Sequence, residues 1–174
     1  DRGTWLGQVA YHLEHAGEHG RAATTWLQTA DTLVSLYEFE RAWFAFERIL
    51  AQGNRPGKPA LDAEAMLGIS VCARALDQRH EAESWASRGL EFVRRRHLPA
   101  IEARLLSHIG MLAYDAGDVD RGSNLLRESI VLHEQSGDLA EAARSLTRPS
   151  ATRAGRAKRG PGPARCRRRS PRTR

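Results

Sequence analysis

Long apolar runs are missing from this sequence. No stretch approaches the ~20 apolar residues that a membrane-spanning helix needs, although 41% of the 174 residues are hydrophobic. Cysteine is scarce too: Cys72 and Cys166 are the two present. A disulfide-stapled secreted module carries more, so a reducing cytoplasm is the expected compartment. No signal peptide is visible at the start, where the chain opens on Asp1 without an initiator Met and is expected to be a piece of a longer protein.

Acid is absent from one end. Every Asp and Glu lies at or before Glu141, so the formal net charge of +6 divides sharply. Residues 1–147 hold 16 Lys/Arg against 21 Asp/Glu, net −5, whereas residues 148–174 hold 11 Lys/Arg and no acid, net +11. The basic character belongs to the tail and not to the body of the chain.

What is present is a repeat. Shifted against itself by forty residues, the chain aligns Ala42, Ala82 and Gly122; Phe46, Ala86 and Leu126; and Leu50, Leu90 and Ile130. A helix earlier it aligns Ala23, Ala63, Ala103 and Ala143; Trp26, Met66, Leu106 and Leu146; Thr29, Ile69 and Ile109; and Leu33, Ala73 and Ala113. No gap is needed. The small column suits a close crossing of two helix backbones, and the large ones can fill the gaps between neighbouring hairpins. Within a unit, Leu106, Ile109, Gly110 and Ala113 fall at i, i+3, i+4 and i+7, one face of a helix.

Gly110, Ala113, Gly117-Asp118, Gly122, Leu126 and Ile130 resemble the tetratricopeptide (TPR) helix-turn-helix signature. The run 125–138 is similar to the longer-period TPR units of MalT-like bacterial signalling ATPases and transcription regulators. The run 11–18, followed by Arg21-Ala22-Ala23 and Trp26-Leu27, resembles the segment that opens their helical region. The likeness covers about residues 8–148 and departs from the pattern at Asp77, where the turn glycine is missing. It implies an all-α fold, a right-handed α-α superhelix of antiparallel helix pairs, working as a protein-protein interaction scaffold in the sensory or regulatory part of such a protein. It carries over none of the ATPase, cyclase or DNA-binding activities, whose motifs are not in this stretch.

Apolar periodicity and turn residues predict helices at about 4–16, 21–37, 40–51, 61–76, 79–95, 100–115, 119–135 and 139–148. Residues 53–59 read as a stiff loop, and Pro99 as a helix start. Arg94, Arg95 and Arg96 sit where positive charge complements a helix C-terminus. The last helix breaks off: Pro149 stands forty residues after Ile109, and Arg153 forty after Ala113. Interior proline costs about 3 kcal/mol. Residues 149–174 are therefore expected to be a disordered Arg/Pro-rich tail. An out-of-frame extension of high-GC coding DNA fits its composition. The alternative is a nucleic-acid-binding arm, with Arg167-Arg168-Arg169 neutralising phosphates and an affinity that falls steeply with salt.

Chemistry-bearing patterns are weak. His15-Ala16-Gly17-Glu18-His19 matches an H-x-x-E-H zinc spacing, and His12 would extend it, but Gly17 falls where the helix should end. Gly53 to Lys58 is one residue short of a phosphate loop, with Pro59 where a magnesium-binding hydroxyl is needed. No catalytic set, metal or cofactor is expected, and the chain is not read as an enzyme. Its partner is expected to be another protein or domain, a peptide or helix held in a concave groove, with no membrane involved. The positions on the first helix of each hairpin that miss the buried columns are Thr24, Asp31, Glu64, Arg74, Arg104, Tyr114 and Asp115. They are the expected groove, with Tyr114 as aromatic anchor beside complementary charge.

Overall fold

The computed structural model describes residues 2–52 and 58–136. Within them the chain is all-helical, with no strand: α1 (Arg2–His15), α2 (His19–Ser35), α3 (Phe39–Ala51), α4 (Pro59–Ala75), α5 (Arg79–Arg96), α6 (Pro99–Asp115) and α7 (Val119–Ser136). Among the described residues no helix is long and apolar enough to cross a membrane. The expected helix at 139–148 and the tail lie outside the described residues, as does most of the expected loop, 53–57.

From α2 onward the helices start twenty residues apart, at His19, Phe39, Pro59, Arg79, Pro99 and Val119. α2 and α4 begin two residues before their expected starts at 21 and 61. Proline lacks the N–H that a first turn leaves unused and has its φ preset, so Pro59 and Pro99 open α4 and α6. From α2 onward the carbonyl before each helix takes a first-turn N–H: that of Glu18 accepts from Arg21 (3.0 Å) and Ala22 (2.9 Å), and that of Leu98 from Glu102 (2.9 Å).

The turns repeat as well. Gly17, Tyr37, Asp77, His97 and Gly117 all have positive φ, between 53° and 87°. The next residue's N–H reaches back to a carbonyl five residues earlier: Glu18 to Leu13, Glu38 to Leu33, Gln78 to Ala73, Leu98 to Val93 and Asp118 to Ala113, at 2.9–3.1 Å. This closes the last helical turn in the Schellman manner. Asp77 thus makes the same turn as Gly117 despite its side chain, at φ 64°. A left-handed backbone costs an L-residue roughly 1–2 kcal/mol, less for Asp. Asp77→Gly is therefore expected to stabilise the fold by about 0.5–1 kcal/mol and Gly117→Ala to destabilise it by about 1 kcal/mol. Urea denaturation of the two variants checks both signs.

Consecutive helices pack on one another, and α4 also touches both α2 and α6. Ion pairs tie the alternate helices. Glu14 of α1 accepts from Arg48 of α3, and Arg94 of α5 donates to Glu128 of α7 at 3.2 Å. The second pair stands eighty residues after the first with the charges exchanged, so one register runs through both. Alternate helices thus meet along the row α2-α4-α6, while ion pairs link α1 to α3 and α5 to α7.

Each described position in the seven sequence columns is buried or half-buried. Within hairpins the close crossing is small against small. A Cβ on Gly110 would lie 3.1 Å from the Gly122 carbonyl oxygen, and one on Gly122 3.0 Å from that of Gly110. The same register pairs Ser70 with Ala82, where the Ser70 hydroxyl donates to the Ala82 carbonyl at 2.6 Å, and Ala30 with Ala42, both fully buried.

Candidate protein-binding face

The α2-α4-α6 row carries all of the expected groove residues, and the fold joins most of them to each other. Arg104 donates to Glu64, which stands forty residues earlier on the neighbouring helix. Arg74 Nε donates to Asp115 Oδ2 at 2.6 Å, and Arg79 Nη2 to the Asp115 carbonyl at 3.0 Å. Thr24 is exposed, and its hydroxyl donates to the Gly20 carbonyl at 3.1 Å, a bond within α2. Tyr114 is 37% exposed. Its ring lies over Gly122, and its hydroxyl meets Ser123 Oγ at 2.7 Å, so much of this residue locks α6 to α7.

Asp31 is exposed over the residue as a whole, but its carboxyl is partly shielded by the surrounding protein and feels Arg104 from across the row. Loss of water around that carboxyl raises its pKa above the ordinary 3.8, and the Arg104 charge pulls the other way without cancelling the rise. A raised folded-state pKa means that the native chain holds this proton longer than the unfolded chain does. Stability is therefore lost as pH rises from 3.8 through the raised value, and the deficit is fully present at neutral pH. Asp31→Asn is expected to melt at a higher temperature than the parent at pH 7, with the difference vanishing at pH 3. Thermal scans at the two pH values check it.

The remaining candidates are dispersed. His15 ends α1, with Nδ1 2.9 Å from the Tyr11 carbonyl, and His19 opens α2 beyond the Gly17 turn. Two histidines on different helices do not present the single helical face that the zinc pattern needs. Cys72 is fully buried, and burial pushes its thiol up to about 12, so thiolate chemistry is suppressed there.

Two features went unread in the sequence. One is the buried contact of Ser70 Oγ with His108 Nε2 at 2.8 Å. With the hydroxyl proton given to the Ala82 carbonyl, the serine oxygen accepts from His108, so a polar link joins α4, α5 and α6 in the core. Ser107 and Ser129 make a second such contact at 2.9 Å between α6 and α7. The other is a cleft among α1, α2 and α3, lined by Trp26, Leu33, Phe44 and Ala45 among others. A forty-residue comparison of Gly3 with Trp43 could have exposed it.

No protein-family model matches this sequence, and a search of curated proteins finds no match. Among solved structures, the crystal structure of BtubC (BKLC) from P. vanneervenii is similar, with a TM-score of 0.52 and 16% identity over 97% of this chain and 84% of that one. At that identity the likeness is one of fold alone.

Proposed function

We propose that this chain is a TPR-like solenoid, a right-handed stack of antiparallel helix pairs whose α2-α4-α6 row receives a peptide or helix from a partner protein or domain. The setting that the sequence resemblance supports is the sensory or regulatory repeat region of a bacterial signalling ATPase or transcription regulator. The observation that carries the reading is the register of that row. α2, α4 and α6 end at Ser35, Ala75 and Asp115, so equivalent side chains recur along one face at a fixed interval. A repeated face of this kind offers an extended binding surface.

The polar groups of the face are held in place before a partner arrives. Arg74 and Arg104 are bound to Asp115 and Glu64, which fixes their side chains and lowers the entropy lost on docking. Truncating either arginine would leave a half-buried acid behind. The better test reverses a bridge, Arg74→Asp with Asp115→Arg, which retains an ion pair and inverts its field. A peptide selected from a random display library on the parent chain is expected to bind the reversed variant at least tenfold more weakly, with circular dichroism unchanged. Equal affinity for a well-folded variant would remove the row as the binding face.

A further inference from the structure

The cleft among α1, α2 and α3 has a volume of about 740 Å³. It lies away from Thr24 and Asp31, on the face of α2 that carries Trp26, Thr29 and Leu33. The repeat explains why it is open. Two of its lining residues, Gly3 and Ala45, are the forty-residue counterparts of Trp43 and Trp85. Both tryptophans are half-buried and pack against the core cluster that contains Ile49, Ile69 and Cys72. Trp43 also packs against the core cluster that contains Ala73 and Ala82, and Ala73 is the counterpart of the cleft residue Leu33. Where the second unit places two indoles beside α3, α4 and α5, the first unit has a hydrogen and a nearly buried methyl group, and Leu33 and Trp26 stand there in place of Ala73 and Met66.

The mouth of the cleft has a charge of each sign. Glu40 and Arg41, adjacent on α3, both line it. The Arg41 guanidinium bridges to α1, with Nη2 donating to Thr4 Oγ1 at 2.9 Å, and pairs with Glu38 on its own helix. Five N–H donors let one guanidinium serve several acceptors at once. Phe44, 56% exposed, stands at the same site and can flank a planar ring.

We propose that this cleft binds a free aromatic α-amino acid of tryptophan size. Its ring takes the space of the missing indoles, its ammonium faces Glu40 and its carboxylate faces Arg41. The site uses a different face of α2 from the one that carries Thr24 and Asp31, so the chain would take a small-molecule ligand as well as a protein partner. An apolar cleft with a few convergent polar groups is the usual form of a small-ligand site.

The experiment is calorimetric titration of the full chain with L-tryptophan, tryptamine and indole-3-propionate. Saturable binding is expected for tryptophan, with each analogue at least tenfold weaker because it lacks one of the two charges. Gly3→Trp and Ala45→Trp each supply the side chain that the second unit carries. Each is expected to reduce tryptophan binding at least tenfold in a chain that circular dichroism shows to be folded. Glu40→Gln is expected to narrow the preference for tryptophan over indole-3-propionate, which gives a readout that does not require filling the cleft. No saturable heat at millimolar tryptophan would overturn the proposal, as would folded filled variants that bind like the parent or a Glu40→Gln preference that does not move.

Discussion

Alanine at position 68 is expected to destabilise the fold by about 3 kcal/mol, the upper end of what one added methyl group costs in a close-packed interior. A Cβ on Gly68 would fall inside the van der Waals envelopes of Cζ, Cε1 and Cε2 of Phe46. The ring has little room to swing away, since Phe46 is 3% exposed and packed among Ile49, Ile69 and Ala65. Helix propensity works in the opposite sense: Ala is better than Gly in a helix interior by about 0.8–1 kcal/mol. A measured loss therefore understates the steric conflict. Shortening the ring should reveal it. Phe46→Leu alone leaves a cavity, but in the Gly68→Ala background it removes the clash, so the double variant is expected to be more stable than Gly68→Ala. Urea denaturation of the three variants reads the coupling directly. A Gly68→Ala chain as stable as the parent would mean that α3 and α4 do not approach as closely as described.

Phe46 and Gly68 also show what the sequence hid. Read column by column, Phe46, Ala86 and Leu126 share only an apolar character. Read as pairs across a helix contact, the changes compensate. The counterpart of Phe46 and Gly68 one repeat on is Ala86 and His108, with large and small exchanged. Helix positions and buried columns could be read from one sequence because they depend on local periodicity and turn residues. Pair compensation depends on which side chain faces which across two helices, and a single column does not contain that. Asp77 marks another limit. The missing glycine read as a departure from the pattern, yet the chain makes the same left-handed turn there, because five repeated hydrogen bonds at the helix ends set the turn more strongly than one residue's preference.

The spacing of the candidate positions was legible for the same reason. Forty-residue spacing puts Glu64 and Arg104 at the same place on adjacent helices, and the fold brings them into contact. Their mutual pairing was not anticipated, since opposite charges at equivalent positions serve a partner or one another equally well on paper. The cleft at α1 was missed because it consists of side chains that are not there. Gly3 and Ala45 draw no notice until Trp43 and Trp85 are set beside them.

The strongest test of the register is an exchange of one packed pair for its counterpart. Gly89 of α5 lies against Leu105 of α6, and a Cβ on Gly89 would sit 3.2 Å from Leu105 Cδ2 and 3.4 Å from Met66 Cβ. Forty residues earlier the pair is Ile49 and Ala65, each fully buried, again with large and small exchanged. Leu105→Ala removes a side chain that is 0% exposed, which costs roughly 2–5 kcal/mol through lost burial and the cavity left behind. Gly89→Ile alone pushes a branched side chain into occupied space and is expected to destabilise by about 1–3 kcal/mol. Each substitution removes the difficulty that the other creates, so the double variant should recover most of the loss. Two independent core changes would instead add. The prediction is thus one of sign: Gly89→Ile destabilises the parent and stabilises the Leu105→Ala chain. Denaturation midpoints of the four proteins, at constant urea dependence, give the answer. Additive losses would mean that the α5–α6 contact is not built on the α3–α4 pattern, and the common register would fail at that contact.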